Sequence, residues 1–214
     1  MGRFYRRITL YVLSLFFFLL ASCAGTQQKP LSAEGYSNLG VYHLKKGEYD
    51  QAVSNFNKAI EINPLLAEAY YNRGIAYEEK GEYDQAILDY TKAIGINSML
   101  AEVYNNRGLL YGKNGRHDQA ISDFSKAIEI KPMDAVAYSN RGISYGEQGA
   151  YDKAISDFTK AIEIDPWYAK AYTNRGLAYI KSRNRGKACS DWERACDLGD
   201  CGNYTIAKRK GLCK

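Results

Sequence analysis

Histidine is nearly missing from this chain. His43 and His117 are the only two in 214 residues. An imidazole base or a cluster of imidazole metal ligands has almost nothing to draw on. Both stand where tyrosine stands in most equivalent places, which reads as packing or surface. Cysteine is scarce and uneven: Cys23 stands alone, and Cys189, Cys196, Cys201 and Cys213 crowd the last 26 residues. No C-x-x-C and no C-x-x-C-H occurs, which removes the usual zinc and haem-attachment spacings. No glycine-rich phosphate loop follows a strand, because no stretch reads as a strand. These absences leave no catalytic constellation, no metal site and no cofactor site to propose.

What fills the chain instead is one 34-residue unit, stated most cleanly at 135–168. Gly40, Gly74, Gly108, Gly142 and Gly176 mark its step. So do Ala52, Ala86, Ala120, Ala154 and Ala188, and so do Ala59, Ala93, Ala127, Ala161 and Ala195. A step kept over five copies means a stack of similar modules. Each module reads as two helices. Tyr138, Gly142 and Tyr145 form one stripe at i, i+4, i+7, Gly149 breaks the chain, and Ala154, Phe158 and Ala161 form a second stripe. Pro166 ends the unit, since proline cannot continue a helix. Gly142 and Ala154 let two backbones approach while Phe158 fills the space beside them. One helix pair cannot bury both faces, so each needs neighbours.

In the first copy the pattern runs Tyr36, Leu39, Gly40, His43, Ala52, Phe56, Ala59 and Pro64, with His43 where tyrosine is usual. This resembles the tetratricopeptide repeat (TPR) family, over 33–200. The resemblance implies an all-α fold, a right-handed superhelical solenoid of five helix pairs, with peptides or proteins bound on its concave face. It implies no chemistry. The copies divide as 33–66, 67–100, 101–134, 135–168 and 169–200, and 201–214 is expected to add a capping helix. Copy two lacks the closing proline and carries Gly95 near its helix end, so the 96–101 joint is expected to yield most. Copy five is degenerate: Arg183, Arg185, Asp200 and Trp192 replace Gly, Tyr, Pro and Phe.

Residues 1–22 read as a targeting segment. Arg3, Arg6 and Arg7 precede an apolar run from Ile8 to Ala21, too short to span a bilayer comfortably. Leu20-Ala21-Ser22-Cys23 resembles the bacterial lipobox, which implies cleavage before Cys23 and diacylglycerol on its thiol. Ala24 at the next position, rather than Asp, favours the outer membrane of a two-membrane cell, facing the periplasm. Residues 25–32 form a short polar tether. Cleavage removes three arginines and no acid, so the net charge falls from +5 to +2 and gives no case for nucleic-acid binding.

Two columns of the repeat change together. Arg73, Arg107, Arg141 and Arg175 precede the packing glycine, and Asp89, Asp123, Asp157 and Asp191 stand on the second helix. Copy one has Leu39 and Asn55 at these places, so Arg and Asp are expected to touch as partly buried structural pairs. The sequence leaves open whether the partner is in the same copy or the next. The tyrosines, mostly in repeat slots, read as core. For the four late cysteines an oxidising compartment implies two disulfides. An antiparallel hairpin of 186–198 with 203–211 puts Cys196 and Cys201 at its turn and Cys189 and Cys213 near its open end, so those pairings are expected.

A different stripe of each first helix is expected to line the groove. It holds Asn38, Asn72, Asn106, Asn140 and Asn174, one per copy, beside Val41, Ile75, Leu109, Ile143 and Leu177. An amide offers donors and an acceptor, so such a ladder can hold an extended peptide backbone without reading its side chains. It resembles the asparagine ladder of the TPR superhelix in nucleocytoplasmic sugar-transferring enzymes. The alternative is that each Asn braces the neighbouring helix. Glu34, Glu68 and Glu102 occupy the groove of the first three copies, against a carboxylate clamp of the chaperone-binding kind. The expected function is a non-catalytic protein- or peptide-binding scaffold, held to the membrane by its lipid. A pilotin-like assembly factor or an accessory subunit of a cell-wall enzyme are the alternatives.

Overall fold

Helix, break, helix is what the stripes demand, and it recurs along the chain. The computed structural model describes residues 31–213. The leader, Cys23 and most of the tether lie outside the described residues. The helices are α1 (Ala33–Lys45), α2 (Tyr49–Ile62), α3 (Ala67–Glu79), α4 (Tyr83–Ile96), α5 (Ala101–Lys113), α6 (His117–Ile130), α7 (Ala135–Glu147), α8 (Tyr151–Ile164), α9 (Ala169–Lys181), α10 (Arg185–Asp197) and α11 (Gly202–Arg209). Among the described residues there is no strand. Nor is any described helix long and apolar enough to cross a membrane.

The turn inside each unit is a glycine cap. Gly47, Gly81, Gly115 and Gly149 take φ of +74°, +79°, +70° and +75°. The next residue's N–H reaches back to a carbonyl five positions earlier, as from Glu48 to His43 at 3.0 Å and from Ala150 to Tyr145 at 2.9 Å. Left-handed backbone with this bond satisfies the last free carbonyls of the first helix. In the fifth unit Arg183 occupies the same place at φ +61°.

Within a pair, the recurrent glycine seats an aromatic ring. A Cβ at Gly40 would lie 2.5 Å from Phe56, at Gly74 2.6 Å from Tyr90, at Gly108 2.8 Å from Phe124, at Gly142 2.9 Å from Phe158, and at Gly176 2.5 Å from Trp192. No larger residue fits without moving the ring. The alanines at the two recurrent steps of the second helices are fully buried and let helices close. Trp192 fits a slot that holds phenylalanine or tyrosine elsewhere because its Nε1 donates to the Thr173 carbonyl at 3.2 Å.

Pairs then stack into a solenoid. Each second helix packs on the first helix of the next unit. First helices of neighbouring units also meet, α1 with α3, α5 with α7 and α7 with α9, whereas successive second helices make no comparable contact. The first helices therefore lie on the inside of the curve. The joint between units two and three is filled by larger side chains: Val103 and Leu110 are 1% and 0% exposed and stand where the flanking units have Ala69 and Ala76, Ala137 and Ser144. With Tyr90 and Phe124 they belong to the largest apolar cluster. The joint singled out from the sequence, 96–101, is thus filled by large buried side chains.

The C-terminal end is covered. α11 packs on α10 through Ala207, Ala188 and Trp192. Cys189 is bonded to Cys213 and Cys196 to Cys201. Arg185, in the slot of a tyrosine, donates to the carbonyls of Gly211 and Leu212 at the end of α11. Asp200, in the slot of a proline, accepts from Thr173 Oγ1 at 2.7 Å.

Candidate functional site

The inner face is built from the sides of α1, α3, α5, α7 and α9. Asn72, Asn106, Asn140 and Asn174 are half-buried along it and Asn38 is exposed at the start. Beside them Val41 and Ile75 are half-buried, while Leu109, Ile143 and Leu177 are 37%, 42% and 46% exposed. The apolar column thus opens to water toward the later units. Two ladder amides reach the preceding first helix: Asn106 Nδ2 donates to Tyr71 Oη at 3.4 Å, and Asn140 Nδ2 to Asn105 Oδ1 at 3.3 Å. These bonds are long, and each leaves the amide oxygen available to a ligand N–H. Bracing and binding are therefore compatible at these two residues.

Two hollows open beside the ladder and are one feature repeated a unit apart. One, about 460 Å³, is lined by Gly108, Leu109, Gly112, Phe124, Asn140 and Ile143. The other, about 360 Å³, is lined by Gly142, Ile143, Gly146, Phe158, Asn174 and Leu177. Helical Gly112 and Gly146 make them. Leu44, Glu78 and Ile180 stand in that column in the other units. A Cβ at Gly146 would meet nothing within 4 Å, and one at Gly112 only atoms at 3.9 and 4.0 Å. Glycine inside a helix costs about 1 kcal/mol against alanine, and no packing here requires it. In unit two the same place is filled because Tyr90 carries a hydroxyl, which donates to Glu78 at 2.9 Å. Burial first, and the Glu78 charge second, push that hydroxyl above the ordinary tyrosine range, so it stays a donor. His117 borders the larger hollow and keeps a buried Nδ1 with no hydrogen-bond partner.

Below the groove the arginine column clamps the units. Arg73 donates to Asp89 through Nε and Nη2, both at 2.7 Å; Arg107 to Asp123 at 2.8 and 2.8 Å; Arg141 to Asp157 at 2.8 and 2.8 Å; Arg175 to Asp191 at 2.8 and 2.7 Å. The partner lies in the same copy each time. The remaining Nη1 crosses to the previous unit, reaching Asn57, Thr91, Ser125 and Thr159 at 2.5, 2.8, 3.1 and 3.0 Å. Each guanidinium also lies between two tyrosine rings, as Arg141 between Tyr138 at 5.6 Å and Tyr145 at 6.0 Å. The hydrogen bond to Asp157, outweighing burial, holds Arg141 above its ordinary pKa. Among the described tyrosines only Tyr90, Tyr104 and Tyr111 are buried. The expectation of a tyrosine core is corrected accordingly: most rings of this column flank a cation and stay partly exposed. Copy one, lacking the clamp, turns Asn55 onto its own helix, with Nδ2 donating to Gln51 O at 2.8 Å.

Two of these features escape reading the sequence alone. The column Asn57, Thr91, Ser125, Thr159 is short and polar in all four copies, a visible signal of its role. The hollows have only Gly112 and Gly146 as their signal, and a helical glycine reads first as a weak helix. Among the described residues no three of His, Cys, Asp and Glu are grouped to hold a metal ion.

Comparison with known proteins follows the repeat. A tetratricopeptide repeat profile matches 67–99, 101–134 and 135–168, and a second TPR repeat profile matches 42–81. No curated protein matches the chain in sequence. Among solved structures, YrrB, described as a TPR protein with an unusual peptide-binding site, superposes with a TM-score of 0.74 at 26% identity, over 84% of this chain and 92% of YrrB. MamA superposes at 0.71 with 28% identity, over 74% of this chain and 93% of MamA. PilF of Pseudomonas aeruginosa gives 0.69 at 22% identity over 78% and 76%, a likeness of fold. With the profiles running from residue 42 to 168 and the helix pairs stacked as described, this chain belongs to the tetratricopeptide repeat family.

Proposed function

We propose that this protein is a membrane-anchored, non-catalytic scaffold that holds an extended segment of another protein along its inner face. The observation that carries the reading is the ladder with its hollows: Asn140 and Asn174 stand beside two openings made by Gly112 and Gly146. Backbone groups of a bound strand meet the amides, and apolar side chains enter the openings. YrrB, similar in fold at 26% identity, is described as having a peptide-binding site. The lipobox-like Leu20-Ala21-Ser22-Cys23 supports a lipid on Cys23 and a place at the outer membrane, facing the periplasm. A pilotin-like assembly role and an accessory role to a cell-wall enzyme are the alternatives, and the partner's identity separates them.

The test is a photo-crosslinking residue placed in cells at Ile143 in the groove, and separately at exposed Ser156 on α8. A discrete partner adduct from Ile143 and none from Ser156 is expected. Equal adducts from both, or none from Ile143, overturn the groove. For the anchor, palmitate labelling is expected in the wild type and lost in Cys23→Ala; unchanged labelling removes it.

A further inference from the structure

Antiparallel pairing sends every turn within a unit to one long edge of the solenoid and every turn between units to the other. The first edge is polar, with Lys46-Gly47-Glu48, Lys80-Gly81-Glu82 and Asn114-Gly115-Arg116. The second is not. Leu65, Met99, Met133 and Trp167 stand at the same step in successive turns, exposed by 75%, 67%, 73% and 74%. A single exposed leucine needs no account, but four large apolar residues in one row along one edge do. These side chains lie mostly in solvent rather than within the packed units.

α1 starts at this same edge. Ala33 follows Cys23 by ten residues, a reach of about 35 Å at most. Cys23 directly follows the apolar leader. On the membrane-anchor reading residue 23 sits at a bilayer, and the edge begins within reach of it.

We infer that the row is a lipid-contacting edge: the solenoid rests edge-on against the bilayer, with Leu65, Met99, Met133 and Trp167 in the headgroup layer. This rests on the membrane-anchor reading of Cys23. Tryptophan suits that depth, with an apolar ring and a polar N–H. Arg194 lies 5.7 Å over the Trp167 ring, so a long cationic side chain can reach headgroups from the row. Glu61, Glu68, Glu102, Glu129 and Glu163 are exposed near the same helix ends. Their charge opposes attraction to anionic lipid, so apolar contact holds the edge and neutral lipid suffices. The groove is made of helix sides rather than helix ends, and it stays open to a partner.

The chain carries its own probe. Trp167 and Trp192 are the only tryptophans, and Trp192 is 5% exposed. The full chain, purified with its anchor from bacterial membranes, is placed in phosphatidylcholine vesicles with brominated acyl chains. The wild-type emission minus that of Trp167→Phe isolates the row. A blue shift and bromine quenching of Trp167 are expected, not strengthened by added phosphatidylglycerol. Leu65→Ser, Met99→Ser and Met133→Ser combined should abolish the quenching while the chain still sediments with the vesicles. Sedimentation with Trp167 still open to an aqueous quencher overturns the edge and spares the anchor. Failure of the wild type to sediment overturns both. Shielding of Trp167 that appears only when a protein fraction is added makes the row a protein contact and also overturns the inference.

Discussion

The arginine clamp gives a sharp prediction because the protein carries its own control. Arg141 is 19% and Asp157 9% exposed at the side chain, joined by two bonds of 2.8 Å. Removing one partner of a buried pair costs about 3–5 kcal/mol, and residual exposure puts this pair near 3. Asp157→Asn leaves the guanidinium unpaired between its tyrosines. Arg141→Leu leaves the carboxylate unpaired and also loses the bond to Ser125, worth about 1 kcal/mol. Together the two substitutions recreate the Leu39 and Asn55 arrangement of copy one, where Asn55 Nδ2 bonds to Gln51 O. The double variant should therefore lose only about 2–3 kcal/mol, against about 7 if the losses added. Thermal unfolding followed by circular dichroism resolves this, at about 2–4 °C per kcal/mol for a chain of this size. Additive losses, about 14–28 °C in the double variant, would refute the contact and the same-copy assignment.

Other outcomes follow from single positions. Gly142→Ala should cost about 1–3 kcal/mol in urea unfolding, because its Cβ would lie 2.9 Å from Phe158. Gly146→Ala, one turn on and open, should instead gain about 1 kcal/mol while weakening the partner adduct formed from Ile143. Arg183→Gly relieves a left-handed arginine at φ +61° and should gain about 0.5–1 kcal/mol in the same assay. Reducing the disulfides should cost about 3 kcal/mol, mostly through the bond Cys189–Cys213 with its separation of 24, and protease nicking should rise first around α11.

Much of this architecture is legible in the residues, and the reason is physical. Glycine beside an aromatic slot and alanine at two steps are demands of close helix approach, and they recur because every unit solves the same packing problem. The joint change of Leu39 and Asn55 reveals that Arg and Asp depend on one another. It cannot say which copy supplies the Asp, since a step of 34 makes every copy look alike. Geometry decides, and it adds the cross-unit bond to Asn57, Thr91, Ser125 and Thr159. At the joint 96–101 the sequence shows a missing proline, which is a local signal, whereas the filling by Val103 and Leu110 acts across helices and is seen only in the packing. The apolar row escapes any window of 11–18 residues because its members stand 34 apart in turns.

The central claim is that the asparagine ladder holds a partner's backbone, and Asn106→Ala with Asn140→Ala tests it most directly. The bracing bonds of these residues are 3.4 and 3.3 Å, too long to carry the fold. With the partner segment identified by crosslinking from Ile143, calorimetry should show affinity weakened by about 1–3 kcal/mol, from about 0.5–1.5 per lost hydrogen bond, under an unchanged helical spectrum. Unchanged affinity with the helical spectrum intact would contradict the ladder, and a collapsed spectrum would show that these amides serve the fold instead.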